Sequence, residues 1–169
     1  VATFEVDAQS EMKLSTMLRI CQETSEKHLA ALGVGYEKLK EDGMVFLITK
    51  SESTIKRMPA HTEELRVVTK PQGVRGAEFY RDYEFFVGEE SIAYVMQCSV
   101  AANTPTHRIL HPRKFAAYGL DASANGVTDH VLSRIKIEGL PFLGERVIRY
   151  SDLDYNGHLN NAIYGDIFY

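Results

Sequence analysis

A single change of hydrophobic period limits what this chain can fold into more than any other feature. Early on, apolar residues fall at Leu14, Met17, Leu18, Cys21, Leu29 and Leu32, which line one face of a helix, and Gly33 and Gly35 are placed to end it. Such a helix runs for about six turns at 3.6 residues each. From Met44 onward the period shortens. The runs 44–57, 63–70, 78–87 and 91–101 are rich in aromatic and β-branched residues, are separated by Pro59, Pro71, Gly73, Gly76 and Gly88, and read as strands. In the last run Ile92, Tyr94, Met96, Cys98 and Val100 alternate with Ser91, Ala93, Val95, Gln97 and Ser99, so one face is bulky and the other mostly small. The short Gly88-Glu89-Glu90 connection predicts an antiparallel hairpin between 78–87 and 91–101. One long helix followed by an antiparallel sheet is an α+β layout, in which the sheet wraps the apolar face of the helix and buries it.

The two ends of the chain echo each other. Thr3-Phe4-Glu5-Val6 reads as a short strand, and Ser10 is placed to cap a helix beginning at Glu11. Near Leu120 the composition turns to that of a loop, and a second connector over 135–143 is closed by Pro141 and Gly144. Residues 145–150 then read as a strand, and Leu159, Ala162, Ile163 and Ile167 recur at helical spacing. The expected organisation is one complete domain over 1–119, a linker over 120–143, and the start of a second copy over 144–169. That last piece is too small to stand alone, since units below ~40 residues need disulfides, metals or partners.

Composition removes several classes of function. With 19 basic and 23 acidic residues the net charge is −4, and no run of Lys or Arg supplies the footprint that nucleic-acid binding needs. The longest apolar run, Met44-Val45-Phe46-Leu47-Ile48, falls far short of the ~20 residues that span a bilayer. No membrane partner is expected. Cys21 and Cys98 lie far apart in segments that read as core, which points to two reduced thiols and a cytoplasmic setting. The chain opens on Val1 rather than Met, nothing near it resembles a signal peptide, and it reads as having lost a few residues at its start.

His107 and His111 have metal-like spacing, but Pro105 and Pro112 bracket them and neither Cys nor clustered carboxylates complete a set. Gly33-Val34-Gly35 lacks the third glycine of a dinucleotide loop, and neither a phosphate-binding Gly-Lys-Ser/Thr nor a Gly-x-Ser-x-Gly elbow occurs. No cofactor is indicated. Gln22 and His28, six residues apart, lie about 240° apart around a helix and are not expected to face a common ligand.

The chemistry concentrates in Asp154-Tyr155-Asn156-Gly157-His158-Leu159-Asn160-Asn161, where an acid, a carboxamide and an imidazole alternate just ahead of a helix. Two readings stand side by side. Asn-Gly is a strong turn signal, and Asp or Asn caps helices for purely structural reasons. Alternatively, N–H groups at the helix start hold a carbonyl oxygen, a neighbouring carboxylate attacks it or activates water, and His relays a proton. The helical spacing that follows favours the second. Acyl transfer fits that geometry, and thioester hydrolysis most readily, because a thiolate leaves without strong general-acid help.

Asp154-Tyr155-Asn156-Gly157-His158-Leu159-Asn160-Asn161 with Tyr164 resembles the signature of the acyl-ACP thioesterases, the plant and bacterial enzymes that release fatty acids from acyl carrier protein. Gln22-Glu23 with His28, Ile55-Lys56-Arg57-Met58-Pro59 ahead of 65–69, and Arg81-Asp82 resemble that family's first repeat, so the resemblance covers nearly the whole chain. It implies tandem hot-dog folds, each a long helix wrapped by an antiparallel sheet: here one complete repeat plus the start of a second. It implies that Asp154, Asn156 and His158 are catalytic, with Asn156 and the helix start holding the thioester carbonyl, Asp154 supplying or supporting the base, and His158 orienting the network. It places a further catalytic Glu in sequence that would follow Tyr169.

It also implies acyl-ACP as substrate and partner, a role in fatty acid biosynthesis, and an apolar acyl slot for which Met17, Cys21, Tyr94 and Met96 are the expected lining, with Asn160 at the substrate. The basic cluster His107, Arg108, His111, Arg113 and Lys114 is either a solvated loop or a docking surface for the acidic carrier. A homodimer is compatible with this picture. Two other readings fit the same fold: an acyl-CoA thioesterase of the 4-hydroxybenzoyl-CoA type, and a hot-dog module that holds acyl chains without cleaving them.

Overall fold

The structure is a computed structural model that describes residues 1–121, 126 and 129–168. The long helix forms as α1, Leu14–Ala31, of 18 residues and so about five turns. It starts later than the expected Glu11. Ser10 takes a left-handed φ of 65°, and Glu11 and Met12 are drawn into extended bridges with Ala60 and Val6. The predicted opening strand is instead a 3-10 turn, Thr3–Glu5, followed only by that bridge at Val6. At the other end Gly33, at φ 78°, stops the helix as foreseen. Gly35 opens a short helix, α2 (Tyr36–Glu41), that the sequence did not reveal.

Five strands follow: β1 (Met44–Ile55), β2 (Leu65–Arg75), β3 (Glu78–Val87), β4 (Glu90–Asn103) and β5 (Arg108–Leu110). The sheet is antiparallel in the order β1-β4-β3-β2, with β5 pairing Ala101, Ala102 and Asn103 of β4. Pro71 and Gly73, expected to break the chain, lie inside β2 at a bulge. An edge strand tolerates this, because the N–H that proline lacks would have faced outward.

Register decides which face meets the helix. Phe79, Arg81, Tyr83 and Phe85 of β3 pair with Ser99, Gln97, Val95 and Ala93 of β4, and Tyr83, Phe85, Ala93 and Val95 pack with Met17, Leu18 and Cys21 of α1. The small face of β4 therefore receives the helix, whose axis can come close only where side chains are short. The bulky face, with Tyr80, Tyr94, Met96 and Cys98, lies on the other side of the sheet, where Leu132 covers it. A second cluster of Val34, Leu39, Met44, Ala101 and Phe115 closes the far end of the helix side. Phe115 is supplied by a 3-10 segment, Pro112–Tyr118, and its ring stacks on Phe46 at 5.3 Å and meets Phe79 edge-on at 5.4 Å.

Residues 145–150 form no strand, contrary to expectation, since no described segment lies beside them to pair their backbone groups. Side chains of Ile137, Phe142, Leu143 and Val147 stand 75–94% exposed there. The expected linker over 120–143 falls partly on residues 122–125, 127 and 128, which lie outside the described residues, as does Tyr169. The terminal helix, α3, spans Ile163–Phe168. No helix among the described residues is long and apolar enough to cross a membrane.

Candidate functional site

The segment singled out in the sequence is fixed from both sides. Ahead of it, a 3-10 turn at Tyr150–Asp152 buries the Asp152 carboxylate, which accepts the Arg149 N–H at 2.9 Å and the Arg146 Nη2 at 3.0 Å. That N–H first, and the Arg146 guanidinium with it, hold the Asp152 carboxyl below the usual carboxylate range. A bridge between Leu153 and Leu159 then closes a tight loop. The turn reading is thus correct in part. Gly157 takes φ 75° and donates to the Asp154 carbonyl at 3.0 Å, and the Asp154 N–H reaches the His158 carbonyl at 2.8 Å.

Within that loop the Asp154 carboxylate turns inward. Its Oδ1 accepts the N–H groups of Asn156 at 2.8 Å and His158 at 3.1 Å, which leaves Oδ2 to meet water or substrate. After the loop, Asn160 donates its N–H to the Asp152 carbonyl at 2.9 Å and places Oδ1 on the Ala162 N–H at 2.9 Å, capping the start of α3. The Ala162 N–H is therefore occupied by this cap.

The whole segment is docked onto α1. Ala162 and Ile163 are buried, Asn161 Oδ1 accepts the Gln22 amide, Arg19 and Asp166 form an ion pair at 3.5 Å, and Gly165 lies against the backbone of Ser15. Docking brings Asp154, Tyr155 and Asn160 to the rim of a cavity of about 470 Å³ between α1 and the helix-facing side of the sheet. That volume suits a small-molecule pocket. Tyr155 contacts Tyr36 ring to ring at 4.1 Å. Part of its wall is the aromatic cluster of Phe46, Phe79 and Phe115.

Part of the lining is polar. Arg81 Nη2 lies 3.1 Å from His28 Nδ1 and Nη1 lies 3.2 Å from Thr69 Oγ1. Because a guanidinium only donates, His28 Nδ1 is the acceptor and the ring carries its proton on Nε2. Burial first, and the Arg81 charge second, push the His28 imidazole below its ordinary value, so the ring is neutral at pH 7.

Of the residues expected from sequence, Asp154 and Asn160 line the cavity. Asn156, half-buried, and His158, exposed, belong to the loop but not to the lining. Met17 and Cys21 are fully buried in the packed cluster beside the cavity, and burial pushes the Cys21 thiol far up. Tyr94 and Met96 are on the opposite face of the sheet, where the Tyr94 hydroxyl donates to Asp82 at 3.2 Å and Met96 packs with Tyr80 and Cys98. These four do not line the slot. Their alternation pattern was legible, but the helix packs on the other face.

Gln22 and His28 both border this cavity despite their spacing. They share a space but not a partner, Gln22 holding Asn161 and His28 facing Arg81. Sequence reasoning passed over Gln97 and Ser99 as lining residues. The signal was their place on the small face of 91–101, where a polar pair sat among residues facing the helix.

The sequence profile of the acyl-ACP thioesterase N-terminal domain matches residues 1–112. Among solved structures, a candidate oleoyl thioesterase from Lactobacillus plantarum superposes with a TM-score of 0.81 at 24% identity, over 99% of this chain and 66% of its own. An acyl-ACP thioesterase from Bacteroides thetaiotaomicron gives 0.81 at 22%, over 99% and 69%. A 12:0-ACP thioesterase from Umbellularia californica gives 0.73 at 18%, over 97% and 69%. At these identities the likeness is one of fold, and the chain spans about two thirds of each protein's length. A search of curated protein sequences finds no match.

Proposed function

The chain belongs to the acyl-ACP thioesterase family, and we propose on that basis that it hydrolyses the thioester of fatty acyl-ACP to free fatty acid and carrier thiol. One observation carries the reading: the Asp154 carboxylate stands at the rim of the cavity under α1, with one oxygen committed to its own loop and the other left for chemistry.

In this reading the acyl chain enters the cavity and its thioester rests at the rim beside Asp154, Tyr155 and Asn160. Asp154 Oδ2 takes a proton from water, the water oxygen adds to the thioester carbonyl, and collapse of the adduct expels the pantetheine thiolate, which the proton then neutralises. Asn156 and His158 act from the same loop, the carboxamide toward the carbonyl oxygen and the imidazole in ordering the network. His158 is exposed and lies outside the lining, so its part rests on the resemblance rather than on contact.

The same proposal covers the wider setting: acyl-ACP as partner, fatty acid biosynthesis in the cytoplasm as context, and residues 144–169 as the opening of a second hot-dog unit after a linker over 120–143. The exposed Ile137, Phe142, Leu143 and Val147 support that organisation, because so much apolar surface in one stretch calls for a covering layer.

The test is Asp154→Asn in the full-length protein, followed by fatty acid release from acyl-ACP and acyl-CoA of matched chain length. A general base supplies about 10²–10⁴-fold, so a loss of at least ~100-fold with an unchanged melting curve is expected. Full activity in Asp154→Asn would remove the proposal, and faster turnover of acyl-CoA than of acyl-ACP would replace the carrier with coenzyme A.

A further inference from the structure

Inside the cavity one row of side chains is poorly suited to a plain hydrocarbon chain. Arg81 and Gln97 are directly paired across β3 and β4, so both rise from the sheet toward α1. Above them, the Tyr83–Val95 pair belongs to the solid core, and below them, the Phe79–Ser99 pair borders the aromatic cluster. In register, the polar row thus lies in the cavity wall between the packed core and the aromatic cluster.

Its hydrogen-bonding capacity is not used up by the protein. Gln97 is only 3% exposed, lines the cavity, and its Nε2 has no hydrogen-bond partner among the described residues. Arg81 bonds only the neutral His28 ring and the Thr69 hydroxyl, and no carboxylate lies within ion-pairing distance of it among the described residues. Ser99 adds a hydroxyl beside them. A buried amide donor without a partner is costly, and most such groups in folded proteins are satisfied by a bound molecule or ordered water.

We propose that this row recognises an oxygen carried on the acyl chain itself, a hydroxyl or keto group, so that the cavity favours oxygenated acyl chains over saturated ones. The inference rests on the thioesterase reading only for where the chain lies. One guanidinium, one carboxamide and one hydroxyl beside a neutral imidazole offer several donors to an acceptor oxygen, which a hydroxyl or keto group flanked by methylenes supplies. A saturated chain crossing the same row would leave the Gln97 amide unsatisfied and dry the Arg81 guanidinium without compensation. A site built to hydrogen-bond a substrate group discriminates strongly against an analogue that lacks it.

The experiment is calorimetric titration of the full-length protein with acyl-pantetheine amides, which cannot be hydrolysed. The panel comprises one saturated chain and its isomers carrying a hydroxyl or a keto group at successive carbons. At least one oxygenated isomer should bind about tenfold or more tighter than the saturated chain, the equivalent of one well-made buried hydrogen bond. In Gln97→Leu and in the closer-shaped Gln97→Met, whose folding is checked by thermal melting, the saturated chain should gain and the preferred isomer lose until the two differ by less than about threefold.

Saturated chains that bind the wild type as tightly as every isomer would overturn the inference and assign the row to bound water. The thioesterase reading would survive that result, since it stands or falls on hydrolysis by Asp154→Asn. Failure of every analogue to bind would overturn the inference as well, and hydrolysis by the wild type and Asp154→Asn would still decide the thioesterase reading.

Discussion

Gly165→Ala tests whether the docking of α3 onto α1 is what presents the loop. Two effects of known size oppose each other. Alanine in a helix interior is favoured over glycine by about 1 kcal/mol. Against that, a Cβ at position 165 would lie 2.8 Å from the Ser15 nitrogen, 3.1 Å from its Cα and 3.2 Å from the Leu14 carbonyl carbon. These are backbone atoms in the first turn of α1, and they cannot rotate aside as a side chain would. Relief requires the helices to separate, and overpacking of this kind costs ~1–3 kcal/mol. Separation also weakens the burial of Ala162 and Ile163 and the Gln22–Asn161 bond. The clash wins, and a net loss of ~1–2 kcal/mol is expected. For a chain of this size that lowers Tm by ~2–4 °C per kcal/mol. Differential scanning calorimetry at fixed pH reads it directly, and hydrolysis should fall alongside because Asp154 hangs from the same docked segment. A Tm equal to or above that of the wild type would mean that propensity outweighs contact and that the approach of the two helices constrains nothing.

Two further outcomes follow from charges on the page. The Asp152 carboxyl is held below its ordinary value by the Arg149 N–H and the Arg146 guanidinium, so the stability it contributes is complete above the unfolded-state value near ~3.9 and is lost as pH falls through the folded-state value. Thermal melts from neutral pH downward should steepen below about pH 4, and Asp152→Asn should flatten that acid limb; superimposable limbs would show that this carboxylate is not linked to folding. Arg108 and Arg113 stand exposed at and beyond β5. Reversing both to Glu should slow turnover of carrier-bound substrate much more than turnover of a CoA analogue, and equal losses would leave them as solvated loop residues.

What could be read from the sequence was what short-range periodicity encodes. The α1 stripe at Met17, Leu18 and Cys21, the strand 78–87 and the hairpin at Gly88 depend on neighbours within a few residues, and they appear as expected. The α+β layout followed from them, and the hot-dog fold from the family resemblance. Pairing decides more distant questions. Nothing local distinguishes 145–150 from β1; one finds β4 alongside and the other finds no described partner. Alternation in 91–101 showed two faces without saying which would meet the helix, and volume settled it in favour of Ala93 and Val95. That choice moved Tyr94 and Met96 out of the slot and brought Gln97 and Ser99 into it. The loop at Asp154 was legible because a turn and a cap are both local, whereas its arrival beside Gln22 depends on contacts between residues 139 apart.

The coexistence of turn and site in one short segment has a physical reason. In the proposed reaction the Asp154 carboxylate must meet a carbonyl in a fixed position, and it cannot do so from a freely rotating side chain, since misplacement by about 1 Å costs roughly 10²-fold in rate. Asp154 is fixed by committing Oδ1 to the N–H groups of Asn156 and His158, which the tight loop around Gly157 places on the same side. Asn160 does the equivalent for α3, spending its amide oxygen on the Ala162 N–H while its side chain remains in the cavity wall. In each case one half of a polar side chain satisfies the backbone and thereby orients the other half. The residue types that make a good turn and a good cap are also those with a second polar atom left over, so the structural and chemical readings of this segment describe the same bonds.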